Sequence, residues 1–116
     1  MMFAARWTPT ARAEYDQLKQ AAQRAQAGRK RSEKRKSSKQ EGLFKQVHKA
    51  IGLLLNDPRH PGLQTHAYDS LDHPYDRAQK VFEACAQSDT PGAYRIFWCY
   101  GPGRKEITII AITPHP

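Results

Sequence analysis

The stretch at residues 93–112, AYRIFWCYGPGRKEITIIAI, limits the possible folds of this chain most tightly. Residues 93–100 are aromatic and β-prone, and residues 106–112 are β-branched. GPGRK between them reads as a hairpin turn. Upstream, KVFEACA (80–86) alternates loosely, and SDTPG joins it to the next strand as a second turn. Two consecutive hairpins make a meander. Three strands alone bury too little apolar surface, so something must cover one face. Alternation then sorts the middle strand: Tyr94, Ile96, Trp98 and Tyr100 share one face, Arg95, Phe97 and Cys99 the other. A guanidinium is not packed beneath helices without a partner. Arg95 is therefore expected on the open face, or at a sheet end that solvent reaches.

The cover comes from the N-terminal half. MFAARW predicts a short first strand. Thr8 has the chemistry of an N-cap, and Pro9 suits the first helical position, where a missing N–H costs nothing. Trp7, Ala11, Tyr15, Leu18, Ala22 and Ala25 recur at spacings of three and four, one apolar stripe on a helix. Gly28 is a natural stop, although the residues after it are good helix formers. Ser38-Lys39-Gln40-Glu41 has the form of a capping box opening a second helix. Phe44, Val47, Ile51, Leu54 and Leu55 form its buried face, and Asn56-Asp57-Pro58 ends it. Residues 57–79 read as a long loop, with 63–68 as a short edge strand. The expectation is one α+β domain over residues 1–116. It has two layers in the order β-α-α-β-β-β: a small, twisted, mostly antiparallel sheet with a two-helix hairpin on one face.

With 116 residues the chain fits one modest core. It has no apolar run long enough for a membrane span and no signal-peptide pattern at its start, so a cytoplasmic protein is expected, with no membrane partner. Cys85 and Cys99 fall within strands and read as reduced thiols. His60, His66 and His73, with Asp57, Asp69, Asp72 and Asp76, follow no standard ligand spacing, so no metal is expected. The net charge of +8 calls for an anionic partner. Much of it lies in a basic inter-helix insert at 28–39: Arg29, Lys30, Arg31, Lys34, Arg35, Lys36 and Lys39. Such a run grips phosphates without reading sequence, or is simply a solvated turn. Arg59 and Lys80 are further candidate RNA contacts. Trp98 and Phe97 can stack on bases, but core packing is the better role for Trp98.

Four pieces, FAARWTPTARAEYDQL, LLNDPRHPGLQTHAY, YRIFWCY and ITIIAITPHP, resemble in order and spacing the RelE/ParE superfamily of toxins from bacterial type II toxin–antitoxin systems. The resemblance implies a small twisted sheet with two helices on one face and a cognate antitoxin as partner. It also implies one of two activities. RelE-like members cleave mRNA on the ribosome, so ribosome and mRNA would be partners. ParE-like members act without catalysis, by binding DNA gyrase. In the RelE-like reaction a 2′-hydroxyl attacks the adjacent phosphate. A base takes its proton, a cation steadies the phosphorane, and an acid protonates the leaving 5′-oxygen, with neither metal nor other cofactor. By resemblance Arg95, in the "YR" position, holds the phosphate, and His115 is the acid. The family's tyrosine after that histidine is replaced by Pro116. His66 is the first candidate base and Glu83 the second. Glu83 has an alternative role as an ion-pair partner of Arg95 across the two strands.

Overall fold

A computed structural model of the chain describes residues 2–29, 39–87 and 92–114. Its elements are β1 (Ala4–Trp7), α1 (Pro9–Arg29), α2 (Lys39–Asn56), a 3₁₀ turn (Pro61–Leu63), β2 (His66–Ala67), β3 (Phe82–Cys85), β4 (Tyr94–Tyr100) and β5 (Glu106–Pro114). The expected α+β order is present, with the short edge strand trimmed to two residues and preceded by the 3₁₀ turn. The sheet runs β1-β5-β4-β3-β2. Only the β1–β5 pair is parallel.

The hairpin helices cover one face. Val47, Ala50, Ile51 and Leu54 of α2 and Ala11 of α1 pack on Ala84, Ile96, Trp98, Ile107, Ile109 and Ile112. α1 begins where the sequence places it. Thr8 Oγ1 accepts the Ala11 N–H at 3.0 Å, satisfying one orphan donor of the first turn. The helix passes Gly28 and continues to Arg29, the last residue described before the insert. The capping box at the start of α2 rests on Ser38, which lies outside the described residues.

β5 carries a bulge that the alternation of its sequence does not reveal. Phe97 pairs with Ala111 but Trp98 pairs with Ile109, leaving Ile110 as the extra residue. Ile107 and Ile109 face the helices before the bulge and Ile112 after it, while Ala111 and Thr113 move to the other face. Two side chains, from the N-cap of α1 and from α1 itself, stabilise this switch. The Thr8 hydroxyl donates to the Ile110 carbonyl at 2.6 Å. Glu14 Oε1 accepts the Ile112 N–H at 2.8 Å, beyond the point where β1 stops pairing.

The second face is partly strapped by residues 68–80. Tyr68 lies against Phe97, with ring centroids 4.7 Å apart. Thr108 donates its hydroxyl hydrogen to the Gly101 carbonyl at 2.8 Å and accepts from the Tyr75 hydroxyl at 3.1 Å. Buried His73 anchors the strap: its Nε2–H donates to the Tyr100 carbonyl at 3.1 Å, and its Nδ1 accepts the N–H groups of Tyr75 and Asp76. One end of this face is therefore closed over Cys99 and Thr108. The other end holds Arg95, Cys85, Ala111 and Thr113, all partly accessible.

Candidate functional site

The accessible end of the strapped face gathers three of the four residues expected to act on RNA. Ile96 and Trp98 face the helices, so Arg95 points to the opposite side, as the alternation requires. Its Nη1 donates to the Gln87 carbonyl at 2.8 Å and to the Tyr94 carbonyl at 3.3 Å. These two bonds tie the guanidinium toward the β3–β4 turn. Its Nε and Nη2, the side-on edge of the fork, have no partner among the described residues. That edge donates two parallel hydrogen bonds and fits two oxygens of one phosphate.

The alternative Arg95–Glu83 ion pair is not what forms. Register is the reason. Cys85 lies opposite Arg95, and Glu83 lies opposite Phe97, one diagonal step away. Glu83 instead meets His66, its register partner on β2. His66 Nε2 is 2.6 Å from Glu83 Oε1, with the imidazole 57% exposed and the carboxylate 1%. On the other edge of the ring, Nδ1 is 3.2 Å from the Gln64 carbonyl. A carbonyl only accepts, so both contacts are satisfied together when each ring nitrogen carries hydrogen. A buried carboxylate thus fixes an accessible imidazole through Nε2, while Nδ1 faces the Gln64 carbonyl. Glu83 is sealed from solvent, with His66 against its Oε1.

Gln64 and Gln87 are part of this site, and nothing in the sequence marks them. Gln64 has φ +48° and ψ +41°, a left-handed conformation rare for a side chain of its size, and this aims its carbonyl at the ring. Gln87 contributes only a carbonyl, which depends on turn geometry. Tyr68 was more legible, since it sits two residues after His66 in the edge-strand stretch.

Other candidates lie elsewhere. His115 and the insert residues Lys30, Arg31, Lys34, Arg35 and Lys36 lie outside the described residues, as does the Arg29 side chain. His115 follows directly from Pro114, which pairs with Tyr94. Lys39 opens α2, whereas Arg59 lies beyond its far end, about 27 Å away for a helix of this length. Lys80 precedes β3 on the strap side. These three exposed cations do not form one patch. The loop histidines have separate tasks: His60 Nδ1 accepts the Gly62 N–H, His66 meets Glu83, and His73 anchors the strap. Trp98 is core, and Phe97 is buried under Tyr68. Both cysteines are free thiols, and burial pushes the Cys99 thiol up to about 11, which keeps it protonated near neutrality.

No protein-family model matches the chain, and no curated protein matches it in sequence. Solved structures do match in shape. A YoeB/ParE toxin from Agrobacterium tumefaciens superposes with a TM-score of 0.58 at 9% identity, covering 97% of this chain and 99% of that one. The chain has the RelE/ParE toxin fold. Two further structures share it. The archaeal RelE–RelB complex from Pyrococcus horikoshii OT3 matches with a TM-score of 0.56 at 12% identity, over 98% of this chain and 96% of that one. The YoeB dimer from Staphylococcus aureus matches with a TM-score of 0.56 at 9% identity, over the full length of both. At such identity the RelE/ParE fold is shared through shape, so the chemistry must be argued from this chain's own side chains. Among the described residues, no helix is long and apolar enough to cross a membrane.

Proposed function

We propose that this chain is the toxin of a toxin–antitoxin pair, and that it cleaves mRNA on the ribosome without a metal. The observation that carries the reading is the Nε–Nη2 edge of Arg95, unpartnered among the described residues and on the same accessible face as the Glu83-held imidazole of His66. Arg95 grips the scissile phosphate and stabilises the phosphorane charge. His66, neutral with its hydrogen on Nε2 toward Glu83, takes the proton of the attacking 2′-hydroxyl at Nδ1 in place of its contact with the Gln64 carbonyl, and Glu83 positions the ring. The new bond joins the 2′-oxygen to phosphorus, and the bond to the 5′-oxygen breaks. The products are a 2′,3′-cyclic phosphate and a 5′-hydroxyl. His115, one residue past the end of β5, is the acid that protonates the leaving oxygen. The insert cations supply affinity for ribosomal RNA. An antitoxin covers the face bearing Arg95. One of the matching structures is a complex of RelE with RelB, which supports a protein partner of that kind. The site of action is the cytoplasm.

One observation favours a second reading. Both ring nitrogens of His66 are already engaged and Glu83 is sealed, as suits a toxin that binds a protein such as DNA gyrase and catalyses nothing. Two assays separate the readings. Primer extension on mRNA from a translating extract maps new 5′ ends if the chain is a nuclease. DNA supercoiling by gyrase is inhibited if it is not. Uncut ribosome-bound mRNA in an extract whose translation the protein has stopped would overturn the nuclease reading.

A further inference from the structure

On the helix side of the sheet, at the exit of α2, a cleft of about 440 Å³ has walls that include Arg59, His60, Thr65, Phe82, Trp98 and Tyr100. Two of these residues carry buried polar atoms without a hydrogen-bond partner among the described residues, Trp98 Nε1 and Thr65 Oγ1. Trp98 is 1% exposed. An indole N–H only donates, and a buried one left unmade weakens the fold unless water or a ligand accepts it. Two further groups add donors. His60 Nδ1 accepts the Gly62 N–H, so the hydrogen of the neutral ring lies on Nε2. Arg59 adds a guanidinium on an exposed residue. Gln64 and the Thr65 and Tyr100 hydroxyls can also accept. Beside these polar groups stand three aromatic rings. Phe82 and Trp98 stack at 4.9 Å, and Tyr100 stands edge-on to Trp98 with 38% of its surface exposed.

A planar ring bearing carbonyl acceptors and an attached anion complements such walls. We propose that this cleft is a nucleotide subsite. The base lies on the aromatic wall, its acceptor edge takes the Trp98 and Thr65 hydrogens, and its phosphate meets Arg59 and His60. The volume lies within the range of small-ligand pockets, and the net charge of +8 favours a polyanionic source for the nucleotide. Thr65 and His66 are consecutive, yet Thr65 walls this cleft while His66 meets Glu83 on the other face. An RNA strand bending over the two-residue β2 edge therefore places one nucleotide here and a neighbour at Arg95. That continuity rests on the ribonuclease reading; nucleotide binding by the cleft does not.

The test uses the full-length, ¹⁵N-labelled chain titrated separately with AMP, CMP, GMP and UMP, with adenosine, and with inorganic phosphate. The Trp98 indole N–H resonance should move saturably with at least one nucleotide while that of Trp7 stays in place. Phosphate alone should leave it unmoved. Arg59→Ala should weaken binding about tenfold and Thr65→Val about fivefold, the losses expected for one charged and one neutral hydrogen bond. Arg95→Ala should leave binding unchanged, which separates this site from the proposed cleavage face. An indole signal that no nucleotide moves, one that phosphate alone moves equally, or wild-type affinity in both cleft variants would overturn the subsite.

Discussion

Thr8→Ala is the perturbation that best tests how the fold delivers its second face. The Thr8 side chain does two things at once: it accepts the Ala11 N–H at 3.0 Å and donates to the bulge carbonyl of Ile110 at 2.6 Å. Loss of an N-cap hydroxyl costs about 1 kcal/mol. Leaving the half-buried Ile110 carbonyl without its donor costs at least about 1 kcal/mol more. Together they predict a loss of about 2–3 kcal/mol. For a domain of this size that lowers Tm by about 8–12 °C, since 1 kcal/mol is worth roughly 4 °C. Thr8→Ser keeps the hydroxyl and should stay within about 0.5 kcal/mol of wild type. Urea denaturation and a thermal melt give the numbers. Amide exchange should quicken around Ile110 in the alanine variant and not in the serine variant. If alanine and serine cost the same, or if alanine costs less than about 0.5 kcal/mol, the hydroxyl is not what holds the bulge.

Four further outcomes follow from the same structure. Glu14→Ala removes the acceptor of the Ile112 N–H and should cost about 1–2 kcal/mol in urea denaturation, while Glu14→Gln, which keeps the acceptor, should cost less than half as much. Because burial raises the Cys99 thiol to about 11, the folded chain holds that proton more tightly than the unfolded chain. The contribution to stability is complete below the ordinary thiol range and is lost as pH rises toward 11, so Cys99→Ala should flatten the alkaline limb of a stability–pH curve. In native protein at pH 8, a thiol reagent should label half-buried Cys85 and spare Cys99 until denaturant is added. The Glu106 carboxyl is held below the usual range, chiefly by its 2.8 Å hydrogen bond from Arg6. An NMR titration should find it there, and Arg6→Gln should move it back upward.

The architecture was legible because its signals are periodic. The β4 alternation put Ile96 and Trp98 under the helices and Arg95 opposite, and the structure agrees at each of these positions. Thr8 and Pro9 marked the start of α1 for reasons of capping chemistry alone. The bulge was hidden, because EITIIAI is apolar on both sides of the break and no alternation flags the extra residue at 110. Tertiary partners were hidden too. Glu14 reads as an ordinary exposed helix residue, yet it completes the β5 ladder. At the site, residue type was enough to single out Arg95, His66 and Glu83, but which two would pair depended on register. A shift of two residues on β3 would have put Glu83 opposite Arg95. Gln64 and Gln87 act through backbone carbonyls, which carry no signature in the sequence.

The central claim is that the Nε–Nη2 edge of the Arg95 fork holds a phosphate as charge builds on it. Single-turnover cleavage of ribosome-bound mRNA by wild-type, Arg95→Lys and Arg95→Ala proteins tests it most directly. Losing transition-state donors of this kind should slow cleavage about 100- to 1,000-fold in the alanine variant. Lysine should recover only part of the loss, because it keeps the charge but not the fork. All three proteins should bind ribosomes alike. Wild-type cleavage rates in Arg95→Ala would contradict the account.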